Sequence, residues 1–402
     1  MDQTLISLIK EQAHLFREDI IADRRHLHAN PELSFREFNT SAYLQGRLQE
    51  MGIDYKVLAG TGIMAEIKGL KGDGPMIALR ADMDALPITE ENEVSYKSKH
   101  EGVMHACGHD VHTSVLLGVV RTLNAVRDEF SGTVRFIFQP AEEKLPGGAQ
   151  QMIAEGVLEN PAPLYVIGQH VFPQIEAGKV AIPKGVCMAS MDEITVTITG
   201  KGGHGAMPHL TIDPVLIASQ MVVALQQLVS RAANPQMPTV LSFGKFIADG
   251  AINVIPDTVH LEGTFRTFDD DWRNEAHERM KKLACTLVEG MGGTCAFNIR
   301  RGYPSVNNNE ALSDAMNTLA GEYIGEENVV PVEDLMAAED FAYYSYQKPS
   351  VFYFLGVGNA EKNITAPLHS PAFDVDENAL ETGAGLMAFF ALALLEKEIK
   401  KL

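Results

Sequence analysis

The sequence predicts an α/β chain whose open sheet is interrupted by an inserted ferredoxin-like unit. Three patterns carry that expectation. Short apolar runs of strand length, at 76–79, 133–138 and 164–167, alternate with longer helical stretches and run into polar, chemistry-bearing residues. From Glu193 to Arg300 the order reads strand, helix, strand, strand, helix, strand, which is the ferredoxin-like pattern. Within the first region, between the runs at 76–79 and 133–138, lies His105-Ala106-Cys107-Gly108-His109-Asp110-Val111-His112, followed by an apolar run, Val115 to Val120, that reads as a buried helix.

Taken in order, an N-terminal helix is expected over Leu5–Arg25, where apolar residues recur at helical spacing. Arg25 to Leu33 reads as a structural loop around Pro31, so His26 and His28 are assigned no functional role. A second helix spans about Arg36–Met51 and stops near Gly52. Strands follow at Asp54–Leu58, Ile63–Lys68 and Met76–Leu79. Gly60-Thr61-Gly62-Ile63-Met64-Ala65 loosely matches a dinucleotide fingerprint. A strand follows it where a helix N-terminus would have to face pyrophosphate, and the match is set aside. The helix opened by the central cluster runs to about Arg127, with strands at Thr133–Phe138 and Leu164–Ile167 beyond it.

The pattern changes near Val186. An inserted domain is expected over 187–303, with strands at Glu193–Thr199, Thr239–Phe246, Thr258–Thr267 and Thr294–Arg300 and helices at Pro214–Ser230 and Asp271–Glu289. The first domain, 1–186, resumes over 304–402. It contributes a helix at Glu310–Tyr323, a segment with Ala338-Glu339-Asp340, a strand at Ser350–Leu355, Leu368-His369-Ser370-Pro371, and a closing helix at Glu377–Lys397.

A formal net charge of -20 over 402 residues excludes partners that need a basic footprint, so neither nucleic acid nor an anionic membrane is expected. Met1 to Lys10 lacks the cationic and then apolar order of a signal peptide. The longest apolar run, Leu386 to Leu395, is bounded by Glu396 and Lys397, and no membrane span is expected. The four cysteines show no paired spacing, so no disulfide framework is expected and the cytoplasm is the expected compartment.

In an open α/β sheet, sites form beyond the carboxyl ends of the strands. Three strands end in Asp82 and Asp84, in Glu142 and Glu143, and in His170, on the edge where the central cluster opens its helix. With His369, the residues Cys107, His109, Glu143 and His170 make a mixed sulfur, nitrogen and oxygen set, which suits Zn, Mn, Co or Ni. Five ligands exceed what one catalytic zinc takes. Two ions about 3.5–4 Å apart, sharing ligands, fit better. Asp82, Asp84 and Asp110 are candidates for a further ligand or for orienting an imidazole. The adjacent Glu142 and Glu143 suggest that one coordinates metal while the other is a general base.

In the inserted domain, His204 sits in a glycine-rich loop and could stabilise an oxyanion. Arg266 ends a strand and could clamp a carboxylate, and Asn253 precedes that strand. Other templates fail. His277-Glu278 is followed by Lys281 where a zincin needs a second histidine, and there is no G-x-S-x-G elbow. Cys107 as a catalytic thiol is the alternative to Cys107 as a ligand.

On Arg25 to Leu33, Arg80 to Pro87, His105 to His112, Gln139 to Glu143, Gly203 to His209 and Leu368 to Pro371, the chain resembles the aminoacylase and carboxypeptidase family of di-metal hydrolases. Within it, the chain is similar to the amidohydrolase subfamily of hippurate hydrolases and plant indole-3-acetic-acid–amino-acid hydrolases. The resemblance implies a mixed-sheet catalytic domain with an inserted α+β lid and dimerisation domain. It also implies Cys107, His109, Glu143, His170 and His369 as ligands of two divalent ions, with Glu142 as the base. In the wider family a histidine ligates metal where this chain has Asp82, and the cysteine compensates. A lid histidine like His204 reaches the neighbouring subunit's site in relatives. The implied activity is cleavage of an N-acyl amino acid to a carboxylate and a free amino acid. A dipeptidase or carboxypeptidase using the same machinery is the alternative, as is a non-catalytic ligand-binding homologue.

Overall fold

A computed structural model describes residues 3–399. Among them the chain divides into two compact units. One holds the residues up to Gly185, Asn307–Glu333 and those from Asp340 onward, and the other holds Val186–Val306 and Asp334–Glu339.

The first unit begins with α1 (Gln3–Leu15), α2 (Arg17–Ala29), α3 (Phe38–Glu50), β1 (Tyr55–Leu58), β2 (Gly62–Lys68) and β3 (Met76–Asp82). It continues with α4 (His109–Ala125), β4 (Thr133–Gln139), α5 (Gly148–Ala154), β5 (Tyr165–Glu176) and β6 (Val180–Ala181). Beyond β7 (Gly185–Met188) come β8 (Ser190–Thr199), β9 (Gly203–His204), α6 (Pro214–Gln227), β10 (Thr239–Ile247), β11 (Val254–Ile255), β12 (Thr258–Thr267), α7 (Asp270–Gly290) and β13 (Thr294–Arg301). After β14 (Val306–Asn308) the chain adds α8 (Glu310–Ile324), α9 (Ala342–Ser345), β15 (Ser350–Gly358) and α10 (Asn378–Ile399).

The first unit is built on a seven-stranded mixed sheet in the order β1-β2-β4-β3-β5-β15-β6. Its centre, β4 through β15, is parallel, and antiparallel strands flank it on both sides. Parallel strands covered on both faces read as continuous apolar runs. β3 and β15 are buried at every position for that reason. One core cluster joins α4 and α10 to these strands.

The second unit has a four-stranded antiparallel sheet ordered β10-β12-β8-β13. Relabelled by position within the unit this is the order 2-3-1-4, the ferredoxin-like arrangement. Both of its helices begin on an aspartate cap. Asp213 accepts from Val215 N and Leu216 N, and Asp269 accepts from Trp272 N. The apolar faces of α6 and α7 pack with β8 and β12 into a separate core.

Three expectations are corrected. The single N-terminal helix is two helices, broken at Phe16, and the second runs through His26 and His28. Those histidines are therefore helical, and His28 is buried. The strand expected to stop before His170 continues to Glu176, because β15 pairs with it along that length. His170 keeps its place at the site because β3 pairs with β5 as far as Arg80 opposite Gly168, which sets His170 level with Asp82. Finally, Pro214–Ala232 and Asn378–Glu398 do reach the length and hydropathy of a membrane span. α10 reaches it because it is a core helix, apolar all round and mostly buried.

Candidate metal centre

β3 carries Arg80 and Asp82 into the interior, and Asp84 follows, also buried. A buried carboxylate must be paired. Asp82 Oδ2 accepts from Arg80 Nη1 at 2.6 Å, and Oδ1 accepts from His112 Nδ1 at 2.6 Å. The other nitrogen of that ring, Nε2, accepts the backbone N–H of Val171 at 2.9 Å. A backbone amide can only donate, so the proton of a neutral His112 sits on Nδ1. Both nitrogens of His112 and both oxygens of Asp82 are thereby engaged, and ligand atoms of Asp82, His109 and His112 also lie within 4.8 Å of one another.

Asp84 braces the two glutamates. Its Oδ1 accepts from Glu142 N at 3.0 Å and lies 3.2 Å from His109 Nδ1. Its Oδ2 accepts from Glu143 N at 3.0 Å and from Ser34 Oγ at 2.6 Å. One carboxylate therefore fixes the backbone of Glu142 and Glu143 and sets the ring of His109. Ala141, just beyond β4, is left-handed at φ 53, a conformation that turns the chain sharply before the pair.

Gly108 makes the central turn. Its φ is +82, and a Cβ there would meet Val171 Cγ2 at 2.3 Å. Cys107 stands before that turn and His109 is the first residue of α4. His170 Nδ1 donates to Val171 O at 2.7 Å, which leaves Nε2 facing Cys107 Sγ at 3.4 Å. His369 is a second left-handed non-glycine residue, at φ 63. Its N–H donates to Ala106 O at 2.8 Å, and its Nε2 lies 3.4 Å from Glu143 Oε1.

Ligand atoms of Cys107, His109 and His170 lie within 4.8 Å of one another, as do those of Cys107, Glu143 and His369, and those of His109, Glu142 and Glu143. The first two triads share Cys107 and the last two share Glu143. Two buried atoms in this cluster, His109 Nε2 and Glu143 Oε1, have no hydrogen-bond partner among the described residues and stand 4.0 Å apart. Unsatisfied lone pairs among thiol, imidazole and carboxylate groups fit a divalent transition ion.

The electrostatics agree. Burial pushes His109 down, but Asp82, Asp84 and Glu143 outweigh it and bring it up to about 10. Burial lifts the Cys107 thiol well above its usual value, and Glu143, Glu142 and Asp82 lift it further. Burial holds His170 well below its usual value, with His112 adding to the effect. The cluster therefore concentrates negative charge that a divalent cation neutralises.

Asp110 is engaged elsewhere. It accepts from Arg24 Nε at 2.9 Å and lies 2.8 Å from His28 Nδ1, joining α2 to α4. Burial opposes its ionisation, and Arg24 and His28 hold it well below the carboxylate range all the same.

In the second unit, β9 pairs with β11 so that Val254 lies opposite His204, and Gly205 N donates to Asn253 O at 2.8 Å. His204 and Asn253 thus share one ribbon. His204 is exposed, and its Nδ1 accepts the N–H of Ala206 at 3.0 Å, so a neutral ring carries its proton on Nε2. Arg266 is half-buried on β12, donates from Nη1 to Met336 O at 2.9 Å, and has no carboxylate partner among the described residues. Burial lowers its pKa.

Arg80 and Ser34 were given no part by the sequence, and His112 only a place in the central cluster. Arg80 had a signal: it is a charge inside an apolar strand run. Ser34 had none.

Residues 78–393 match the model for peptidase family M20/M25/M40. An N-acyl-L-amino acid amidohydrolase of Geobacillus stearothermophilus is 44% identical over 304 residues, 75% of this chain and 81% of its own. Thermostable carboxypeptidase 2 of Saccharolobus solfataricus is 38% identical over 398 residues, 98% of this chain and 100% of its own. The crystal structure of a dinuclear metal-binding M20 peptidase of Bacillus subtilis superimposes with a TM-score of 0.82 at 37% identity, covering 95% of this chain and 99% of that one. With the mixed sheet and the overlapping ligand triads, these likenesses give one conclusion: the chain belongs to peptidase family M20/M25/M40, whose chemistry is amide-bond hydrolysis.

Proposed function

We propose that this enzyme hydrolyses the amide bond of N-acyl amino acids, releasing a carboxylate and a free amino acid. The observation that carries the reading is the pair of buried atoms without hydrogen-bond partners among the described residues, His109 Nε2 and Glu143 Oε1, set among Cys107, His170 and His369. These five residues would hold two divalent ions, drawn from Mn, Zn, Co or Ni. When bound, such a pair supplies Lewis-acid polarisation of the scissile carbonyl and lowers the pKa of water. Likeness to an N-acyl-L-amino acid amidohydrolase and to a dinuclear metal-binding peptidase supports both the substrate class and the metal count.

The chain's own residues then divide the work. Glu142, buried next to the ligand Glu143, takes a proton from the attacking water. Water oxygen bonds to the acyl carbon, the C–N bond breaks, and the same proton passes from Glu142 to the leaving amine. Asp84 holds Glu142 in place through its backbone N–H. His204 offers its Nε2–H to the developing oxyanion. Arg266, a cation without a carboxylate of its own, takes the carboxylate of the amino-acid half, with Asn253 beside His204 as a further polar contact. Whether His204 serves its own subunit's site or its neighbour's is an outcome of mixing H204A and E142Q subunits.

The likeness to a carboxypeptidase over nearly the whole chain favours a second reading, peptide substrates at the same site. A panel of N-acetyl, N-benzoyl and indole-acetyl amino acids and dipeptides decides between them. Chelator-stripped protein is restored with Mn, Zn, Co or Ni, and amino-acid release is measured. Release from acyl amino acids supports the proposal. Release from dipeptides alone moves the assignment to peptidase. Silence with metal bound returns the chain to a ligand-binding part.

The second unit also suits pairing with a second copy of this chain. β10 is bonded on one side only, to β12, and so presents a free strand edge. Phe246 and Ile247 on it, and Leu216 and Val223 on α6, are exposed. The four cysteines, all free thiols, fit a reducing compartment such as the cytoplasm.

A further inference from the structure

We infer that Asp340 is a positioning residue for the metal ligand His170, acting through Arg80, Asp82 and His112. The inference rests on the metal-dependent reading above.

Asp340, Arg80, Asp82 and His112 are almost wholly inaccessible, and His170 and Cys107 at the end of the route are buried. Its Oδ1 accepts from Arg80 Nη2 at 2.8 Å. Arg80 spends its other nitrogens on Asp82 Oδ2 at 2.6 Å and Gln139 Oε1 at 2.8 Å. Asp82 Oδ1 then takes the Nδ1–H of His112 at 2.6 Å, and His112 Nε2 takes the N–H of Val171 at 2.9 Å. The carbonyl of that same Val171 accepts from His170 Nδ1 at 2.7 Å, which fixes the ring that turns Nε2 toward Cys107. Every link is a directed bond, and each donor or acceptor orients the next.

The far end is anchored as firmly. Asp340 also accepts from Gln139 Nε2 at 2.8 and 2.9 Å and from Ala149 N at 3.0 Å, so β4 and α5 hold it. Its charge has a second consequence. One guanidinium is shared between two buried carboxylates. Neutralising Asp340 frees its share of Arg80 for the remaining partners, Asp82 among them, which weakens the hold of Asp82 on His112 and makes the cluster less negative. Both effects reduce affinity for a divalent cation.

The test is metal affinity, read without turnover. Apo-protein is titrated with Zn against a competing chelator for wild type, D340N, D82N and the double variant, and the unfolding temperature of each apo-protein is recorded. An orienting residue of this kind is worth roughly tenfold or more in metal affinity. D340N is expected to lose at least that while its apo unfolding temperature stays near wild type. In the D82N background the same change is expected to cost less than about threefold, because both residues act along one route. Unchanged affinity in D340N, or full additivity with D82N, overturns the inference. If D340N does not fold, R80K removes the fork from the middle of the route, and R80K with unchanged affinity overturns it equally. Wild type that binds no metal sinks the metal-dependent reading and this inference together, whereas wild type that binds while D340N is unaffected sinks this inference alone.

Discussion

His109 Nε2 and Glu143 Oε1 face each other across 4.0 Å, buried and without hydrogen-bond partners. An unsatisfied buried polar atom costs about 1–3 kcal/mol, more when charged. Two of them side by side, one on the first turn of α4 and one just beyond β4, mark a place that a divalent ion would satisfy. Asp84 is the reason both are there, since it holds the ring of His109 and the backbone of Glu143 at once.

Gly108 sets the turn on which the cluster depends. G108A would place a methyl group 2.3 Å from Val171 Cγ2 in a backbone conformation, φ +82, that L side chains avoid. Cys107 and His109 must then shift. Divalent-metal affinity measured by chelator competition is expected to fall at least about tenfold, the scale seen when a ligand loses its orientation. Wild-type affinity in G108A would show that the turn does not need glycine.

Arg266 and His204 are expected to separate kinetically. In the proposed mechanism Arg266 binds the carboxylate in ground and transition states alike, so R266Q is expected to raise KM by about ten- to a hundredfold and leave kcat nearly unchanged. His204, in the same mechanism, meets charge that develops only in the transition state, so H204A is expected to lower kcat by about 10²–10³ with a smaller change in KM. Steady-state kinetics on the preferred acyl amino acid checks both. The opposite pattern exchanges their roles.

The second unit contains a pH-dependent anchor. Asp192 is fully buried, 2.5 Å from Arg273 Nη2 and 2.6 Å from His277 Nε2. Burial raises its pKa, but Arg273 and His277 outweigh that and hold it at about 2, below the usual 3.8. Protonation therefore favours the unfolded chain. The stabilisation, roughly 2 kcal/mol, is present above pH 3.8 and is lost as pH falls toward 2. Urea unfolding should show D192N far below wild type at pH 7 and the gap narrowing between pH 4 and 2. A gap of constant size across that range contradicts the assignment.

Val223 and Leu216 lie seven residues apart on α6, on one face, at 71% and 54% exposure. If a second copy covers them, V223E buries a charge at the interface. Light scattering should report a dimer for wild type and a monomer for V223E, with the circular dichroism unchanged. A V223E protein that remains dimeric places the interface elsewhere.

Much of the fold was legible because period and punctuation agreed. β12 was read at Thr258–Thr267 and the βαββαβ order of the second unit was plain, since alternation, aspartate caps and glycines mark each boundary. The N-terminal helices were less so. Helical spacing continues across Phe16, and Pro31 drew attention to a turn that begins only after His28. The ligand-bearing residues were visible as types the chemistry requires, clustered at strand ends and a helix start. What supports them was not. Nothing local to Ser34, or to Asp340 in its polar segment, announces a contact with residues 50 or 260 positions away. Such partners are set by tertiary packing, and one sequence carries no trace of it.

In the proposed mechanism Glu142 moves the proton while its neighbour Glu143 belongs to the metal set. The most direct measurement is amino-acid release by E142Q together with its metal content. E142Q keeps the shape of the side chain and removes its basicity. E142Q is expected to hold two divalent ions per subunit, as in wild type, with turnover reduced by about 10²–10⁴. Full metal content with turnover near the wild-type value contradicts it.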